Sequence, residues 1–183
     1  MELLFAVLIG IGLSISAGFR VFTPLLVASI MSKLNILQLS EGFEWLGSTP
    51  ALIAFIIANI VEVICYYIPV IDKFIKALAA PLALGAGTLL TVSIIGVDES
   101  PLLAWGLSII TGGGAAAASQ LTTTAMRSNS TKSAVKTTSP SVSVIENSCA
   151  FTLSIFSILF PLIVAIFIII VAFVVAKIRN KTK

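Results

Sequence analysis

The chain has 183 residues, of which 58% are hydrophobic and 10% charged, with a net charge of +3 and a mean hydropathy of +1.13. Soluble domains carry about 25% charged residues. One core of this size cannot hide so much apolar surface from water, so the composition excludes an ordinary soluble domain and selects lipid as solvent.

The first apolar segment runs from about Leu3 to Met31. It is interrupted at Ser14-Ile15-Ser16-Ala17-Gly18-Phe19-Arg20 and again at Pro24. A straight helix of that length would overshoot a hydrocarbon layer of about 30 Å, so a strong tilt or a break near Gly18 is expected. The segment opens Met1-Glu2 with no positive n-region and outlasts a signal peptide, which reads as a retained first helix. Residues 32–50 form a polar connection with Lys33, Glu41 and Glu44, and Trp45 as an interfacial anchor.

A second span is expected over Ala51 to Ile71, with Glu62 near its middle. Residues 72–80 read as amphipathic and interfacial. A third span runs from Pro81, a residue tolerated in the first turn of a helix, to Val97, and Asp98 to Pro101 make an acidic turn. The fourth span, Leu102 to Ala125, has the core Thr111-Gly112-Gly113-Gly114-Ala115-Ala116-Ala117-Ala118-Ser119. Such a surface admits close backbone approach, and three successive glycines permit an unwound turn. Residues 126–148 are polar, and the last span, Cys149 to Ala176, contains Pro161. The reading is an all-α polytopic bundle of about five spans with broken or re-entrant helices. It forms one membrane domain over 1–183: a first half 1–97, a second half 98–176 and a basic tail.

Five spans place the termini on opposite sides. Lys73, Lys76, Arg127, Lys132 and Lys136 fall on one side, and Lys33 with Lys177, Arg179, Lys181 and Lys183 on the other. If residues 126–148 dip back into the protein, the tail dominates and the C-terminus lies inside. A basic run beside a membrane helix is a topology anchor, so no nucleic-acid partner is expected. Cys65 and Cys149 lack CxxC spacing and read as small apolar side chains.

Spans one and four share a plan of apolar start, small-residue break, arginine and proline: Gly18, Arg20 and Pro24, then Gly112 to Ala118, Arg127 and Pro140. A glutamate accompanies the span after each: Glu62 inside span two and Glu146 just before span five. Spans one and four cross in opposite directions, which makes an inverted-topology repeat, a design frequent in transporters.

Arg20 lies deep in an apolar segment, where a charge costs about 2.5–3.5 kcal/mol on insertion scales. Glu62 is its natural partner, either as a packing pair or as part of a pathway. Arg127 and Glu146 fall at membrane edges, where a solvated loop role suits them. Thr122 to Thr124 and Ser128 to Ser133 put hydroxyls beside Arg127, a combination suited to an anion or lipid phosphate. No catalytic set emerges. With no histidine, His-based triads and histidine metal ligands are excluded, and HExxH, GxSxG and P-loop patterns are missing. No enzyme activity, cofactor or metal is expected.

The order and spacing of these residues resemble a bacterial membrane family of unknown function, domain of unknown function 4126. The resemblance is carried by Ala17-Gly18-Phe19-Arg20 with Pro24, by Glu62 with Pro69 and Asp72, by Pro81 and Gly85, then by Gly112-Gly113-Gly114, Arg127, Pro140 and Glu146. It covers nearly the whole chain and implies a bacterial inner (plasma) membrane setting, but no activity. Members often carry a histidine and a lysine where this chain has Gln120 and Thr123. Where an acidic residue commonly follows Glu146, this chain has Asn147.

The sequence thus leads to a small transporter or lipid-translocating protein. Arg20, Glu62, Gly112, Gly113, Gly114, Gln120, Arg127 and Glu146 would line its site. The expected partners are membrane lipids, an anionic small molecule or lipid headgroup, and further copies of the chain. The rival is a non-catalytic structural or assembly protein whose charges only fix packing.

Overall fold

A computed structural model describes residues 2–67, 69–96, 100–130, 140–164, 166 and 170; the side chains of residues 2, 66, 67, 69–77, 125–130 and 140–145 are left aside. Seven α-helices account for most of these residues: α1 (Glu2–Ala17), α2 (Phe22–Lys33), α3 (Thr49–Tyr67), α4 (Pro69–Ile95), α5 (Pro101–Ser108), α6 (Gly114–Ser130) and α7 (Pro140–Leu159). There is no strand among the described residues.

Each boundary has a local cause. The last turn of α1 tightens, with Gly18 and Phe19 donating to the carbonyls of Ile15 and Ser16 at 3.1 and 3.0 Å, and the chain breaks over residues 18–21. In α2, Pro24 falls in the first turn, where its missing N–H has no helical acceptor to lose. That helix closes on Asn35 at φ +57°. Ile36 donates to Met31 and Asn35 to Ser32, both at 2.9 Å, the paired bonds of a Schellman cap, with asparagine in the left-handed place usually taken by glycine. The Ser48 hydroxyl accepts from the Ala51 N–H at the start of α3. Gly96, at φ +86°, ends α4.

The central pair is α1 against α4. Against α1 also lie α6 and α7, while α2 packs on α3 and α7. Small residues set these distances. At Gly87 an added Cβ would lie 2.7 Å from both the Ala116 Cβ and the Gly112 carbonyl oxygen. At Gly18 it would lie 2.6 Å from the Ala116 carbonyl and overlap the Ser119 hydroxyl, and at Gly12 it would overlap Ser157. Hydroxyls then join the helices. Ser14 donates to the Gly87 carbonyl (2.9 Å) and pairs with Thr91 (3.0 Å). Ser16 bonds the Ala150 carbonyl (2.7 Å) and the Ser154 hydroxyl (2.6 Å). Ser119 donates to the Ile15 carbonyl (2.7 Å).

Small polar residues share the interior with an apolar core that includes Leu13, Leu25, Leu46 and Leu90, while many large apolar side chains face outward. Ser14, Ser16, Thr91 and Ser154 are fully buried. Ile53, Ile57, Ile60 and Ile64 of α3 face outward, more than half exposed, as do Leu102, Leu103 and Ile110. Two stretches, Leu78–Ile95 and Pro101–Thr124, are long and apolar enough to cross a membrane, and three shorter apolar helices cover Leu3–Ala17, Phe22–Lys33 and Thr49–Cys65.

The structure corrects several sequence expectations. Residues 72–80 run without a break into the third span. They are the first part of α4, with Pro81 inside the helix rather than opening it. Proline removes one N–H there, a loss a helix tolerates when neighbours pack against both flanks, and buried Ala79, Ala83 and Ala86 supply that packing. The expected polar stretch 126–148 is shorter, because α6 runs to Ser130 and α7 starts at Pro140.

The glycines at 112–114 do not unwind. Residues Ile109–Gly113 form a π turn joining α5 to α6, and the Gly114 N–H bonds the Ile109 carbonyl. A π turn keeps the chain helical while re-aiming the side chains after it. The glycine run of the second half is therefore not a break like that at 18–21. The last span begins earlier than Cys149 and pauses at Phe160-Pro161. The basic tail and the stretch 131–139, with Lys132 and Lys136, lie outside the described residues.

Two neighbouring glycines give a matched test. Gly87→Ala should destabilise the fold by about 1–3 kcal/mol through overpacking. Gly85→Ala meets nothing within 4 Å and should be neutral or stabilising by up to about 1 kcal/mol. Thermal unfolding of the purified variants, followed by circular dichroism, checks both.

Candidate functional site

The break between α1 and α2 gathers the buried polar groups of three other helices. Arg20 lies in the break and is 1% exposed, making it the largest fully buried side chain of those described. From α3 comes Glu62, 7% exposed. Its two carboxylate oxygens accept the N–H groups of Val21 (3.0 Å) and Phe22 (3.2 Å). These are orphan donors at the start of α2, where the helix dipole also favours negative charge. A cap normally comes from the residue before the helix. Here that place holds Val21, which has no side-chain acceptor, and a carboxylate 40 residues away does the work. Arg20 is near enough for its charge to act on Glu62.

Within the first turn of α2, Thr23 ties three helices together. It accepts from Asn59 Nδ2 of α3 at 2.8 Å and donates to Asn147 Oδ1 of α7 at 3.2 Å. Asn147 follows Glu146, which is 8% exposed. Glu146 is thus a buried helical residue rather than a loop residue at a membrane edge. Starting α7 at Pro140 carries it more than a turn into the helix. Arg20 and Glu146 each make a further polar interaction. From α6, the Gln120 backbone nitrogen comes within 2.8 Å of where a Cβ on Gly18 would sit, and Gln120 and Thr123 are both buried.

The structure therefore brings Arg20, Glu62, Gln120 and Glu146 to one region around the break. It does not bring the glycines there. Gly112 and Gly113 are buried against Thr91, Gly87, Thr88 and Leu84 of α4, and Gly114 has open space beside it. Arg127 lies near the end of α6, and its side chain is among those left aside. Sequence reasoning missed Asn59 and Thr23. Asn59 was findable, since three residues before Glu62 puts it on the same helical face.

Chemically, the cluster offers a buried cation, a helix N-terminus filled by a carboxylate, and a second buried carboxylate. Among the described residues no group of histidine, cysteine and carboxylate side chains could hold a metal ion.

The Thr23 junction is testable. Thr23→Val keeps the shape but leaves Asn59 and Asn147 each short of a partner, so it should cost about 1–3 kcal/mol. Thr122→Val is the control, because Thr122 is exposed and bonds only its own helix at Ala118. Its midpoint in thermal unfolding should stay near that of the unmodified protein, while that of Thr23→Val falls.

No curated protein and no solved structure matches the chain. The family model described as "Domain of unknown function (DUF4126)" matches residues 7–181, a stretch holding every residue of the cluster. The chain belongs to the DUF4126 family.

Proposed function

We propose that the chain is a small multi-pass membrane protein of the transport class, embedded with its apolar surface in lipid, that carries an anionic molecule or lipid headgroup through the cluster at the α1–α2 break. The observation that carries this reading is Arg20, a cation buried at a helix break inside a bundle whose outer face is apolar. Discontinuous helices with buried charge are how transporters place half-helix ends at a substrate. A buried ionisable group is costly enough in a bilayer to point to a role.

The start of α2 together with Arg20 is a natural seat for an anion. The Glu62 carboxylate fills that seat in this conformation. A substrate anion would compete with Glu62 for the same N–H groups and the same positive field. Gln120 and Glu146 would border the seat, and the serine contacts of α1 with α4, α6 and α7 would form the scaffold it works against.

One observation favours a second reading, that the charges only fix packing in a structural or assembly protein. Both Glu62 oxygens are already bonded, which is what a purely architectural cap requires.

Native mass spectrometry of gently purified protein beside Arg20→Ala tests the proposal. An anion or lipid retained by the unmodified protein and lost from a folded Arg20→Ala supports transport and names the compound class. If neither holds anything and the variant loses its fold or oligomer, the packing reading takes over. The double variant Arg20→Ala/Glu62→Ala separates the two further. It should fold and stay inactive if the site binds substrate, and recover folding and function if the pair only balances charge.

A further inference from the structure

We infer that Glu62 is a proton-binding latch: as a carboxylate it fastens the start of α2 to α3, and on taking up a proton it releases the Val21 and Phe22 N–H groups and vacates the anion seat. The inference deepens the transport reading and rests on it only for what fills the vacated seat; the latch itself rests on the hydrogen bonds.

One carboxylate oxygen is assigned to each backbone donor, at 3.0 and 3.2 Å. A carboxylate has acceptor sites for both, whereas a carboxylic acid turns one oxygen into an O–H donor. A proton arriving at Glu62 therefore forms one O–H bond, turns both N–H···O bonds from charge-assisted to neutral and weakens most the one to the oxygen that carries it. The charge attraction to the positive end of α2 is lost as well. The groups whose bonds weaken sit at a chain break rather than in mid-helix, so the loss falls on a joint. The remaining fastening of the first turn of α2 is Thr23, held by Asn59 on α3 and Asn147 on α7, neutral groups that do not respond to pH.

The charged groups around Glu62 are few. The break brings Arg20, whose field acts on Glu62 directly. The buried charge of α7 is Glu146, next to the Asn147 that bonds Thr23. On α2 the cation is Lys33, at the far end and bonded to Thr49. The short 3₁₀ turn before α3 carries Glu44, also at that far end. On α4 the candidates are Asp72, Lys73 and Lys76, whose side chains are among those left aside. On α3 itself Glu62 is the one charged residue.

Protonation also keeps the electrical account level. If Glu62 gives up its negative charge and an anion takes its place beside Arg20, the net charge of the cluster is unchanged for a monovalent anion. One proton taken up on Glu62 then offsets one negative charge of the anion carried.

The experiment uses the full-length protein in lipid nanodiscs, from about pH 4 to about pH 9, a range spanning ordinary and buried glutamates. Infrared difference spectra report the carboxylic acid band of Glu62, identified by its loss in Glu62→Gln. Hydrogen exchange of the segment 19–25 by mass spectrometry, corrected for the intrinsic pH dependence of exchange, reports the latch. As the pH falls through the Glu62 transition, exchange should quicken roughly tenfold or more, the scale set by losing a charged hydrogen bond. Glu62→Gln should show no transition, and Glu146→Gln should keep it. Exchange that is flat across the Glu62 transition overturns the inference, as does a transition that survives in Glu62→Gln. The unmodified protein alone decides the first point even if a variant fails to fold. A clear transition with no anion ever retained leaves the latch standing and removes the transport reading; a retained anion with flat exchange does the reverse.

Discussion

The first turn of α2 has donors and no acceptors of its own, and the rest of the polar interior follows from how that need is met. A helix that starts inside a packed bundle cannot turn to water for its orphan N–H groups. The residue before it is Val21, which cannot cap it. The carboxylate of Glu62 answers from α3, and its negative charge makes a nearby positive one welcome. Arg20 is that charge. Neither would be stable buried alone, since removing one member of such a set strands the other in a low-dielectric interior. The helix break, the glutamate and the arginine are one device in three parts.

Around it, small residues set the closest helix contacts beside an apolar core. Glycine, alanine and serine let α1 approach α4, α6 and α7 until side chain meets backbone. Hydroxyls then find carbonyls across the gap, as Ser14 finds Gly87 and Ser119 finds Ile15. Packing of this kind draws on van der Waals contact and hydrogen bonding rather than on hiding large apolar side chains, the balance expected when the surroundings are as apolar as the helices. It also leaves the large side chains free to face outward, which is where Ile57, Ile110 and Leu102 lie.

Much of the break was legible in the sequence. Small residues, then an arginine, then a proline four residues on, in a run too long for one straight helix, pointed to a strong tilt or a break near Gly18, and the structure has the break. Glu62 was legible as Arg20's companion because it is the lone charge in its apolar run. What was hidden is that Glu62 serves backbone donors as much as it serves Arg20, because acceptor needs at a helix start depend on where the chain breaks to the residue. Pro81 misled, since a proline reads as a helix start unless the packing of its flanks is known. Glu146 misled for a similar reason: the serines, threonines and lysines before it look like loop, yet the helix begins at Pro140 and carries the carboxylate inside. The glycine run signalled close approach correctly and unwinding incorrectly, because a π turn meets the same steric demand while keeping the backbone bonded.

Many of the buried hydroxyls bond within their own helix: Thr88 to Leu84, Thr123 to Ser119, Ser154 to Ala150 and Ser157 to Leu153. Such a hydroxyl needs no partner helix. The bonds that do need one include Ser14 to Gly87, Ser16 to Ala150, Ser119 to Ile15, and Val21 and Phe22 to Glu62, so these few residues, rather than the whole set of buried polar groups, set how the helices register against one another.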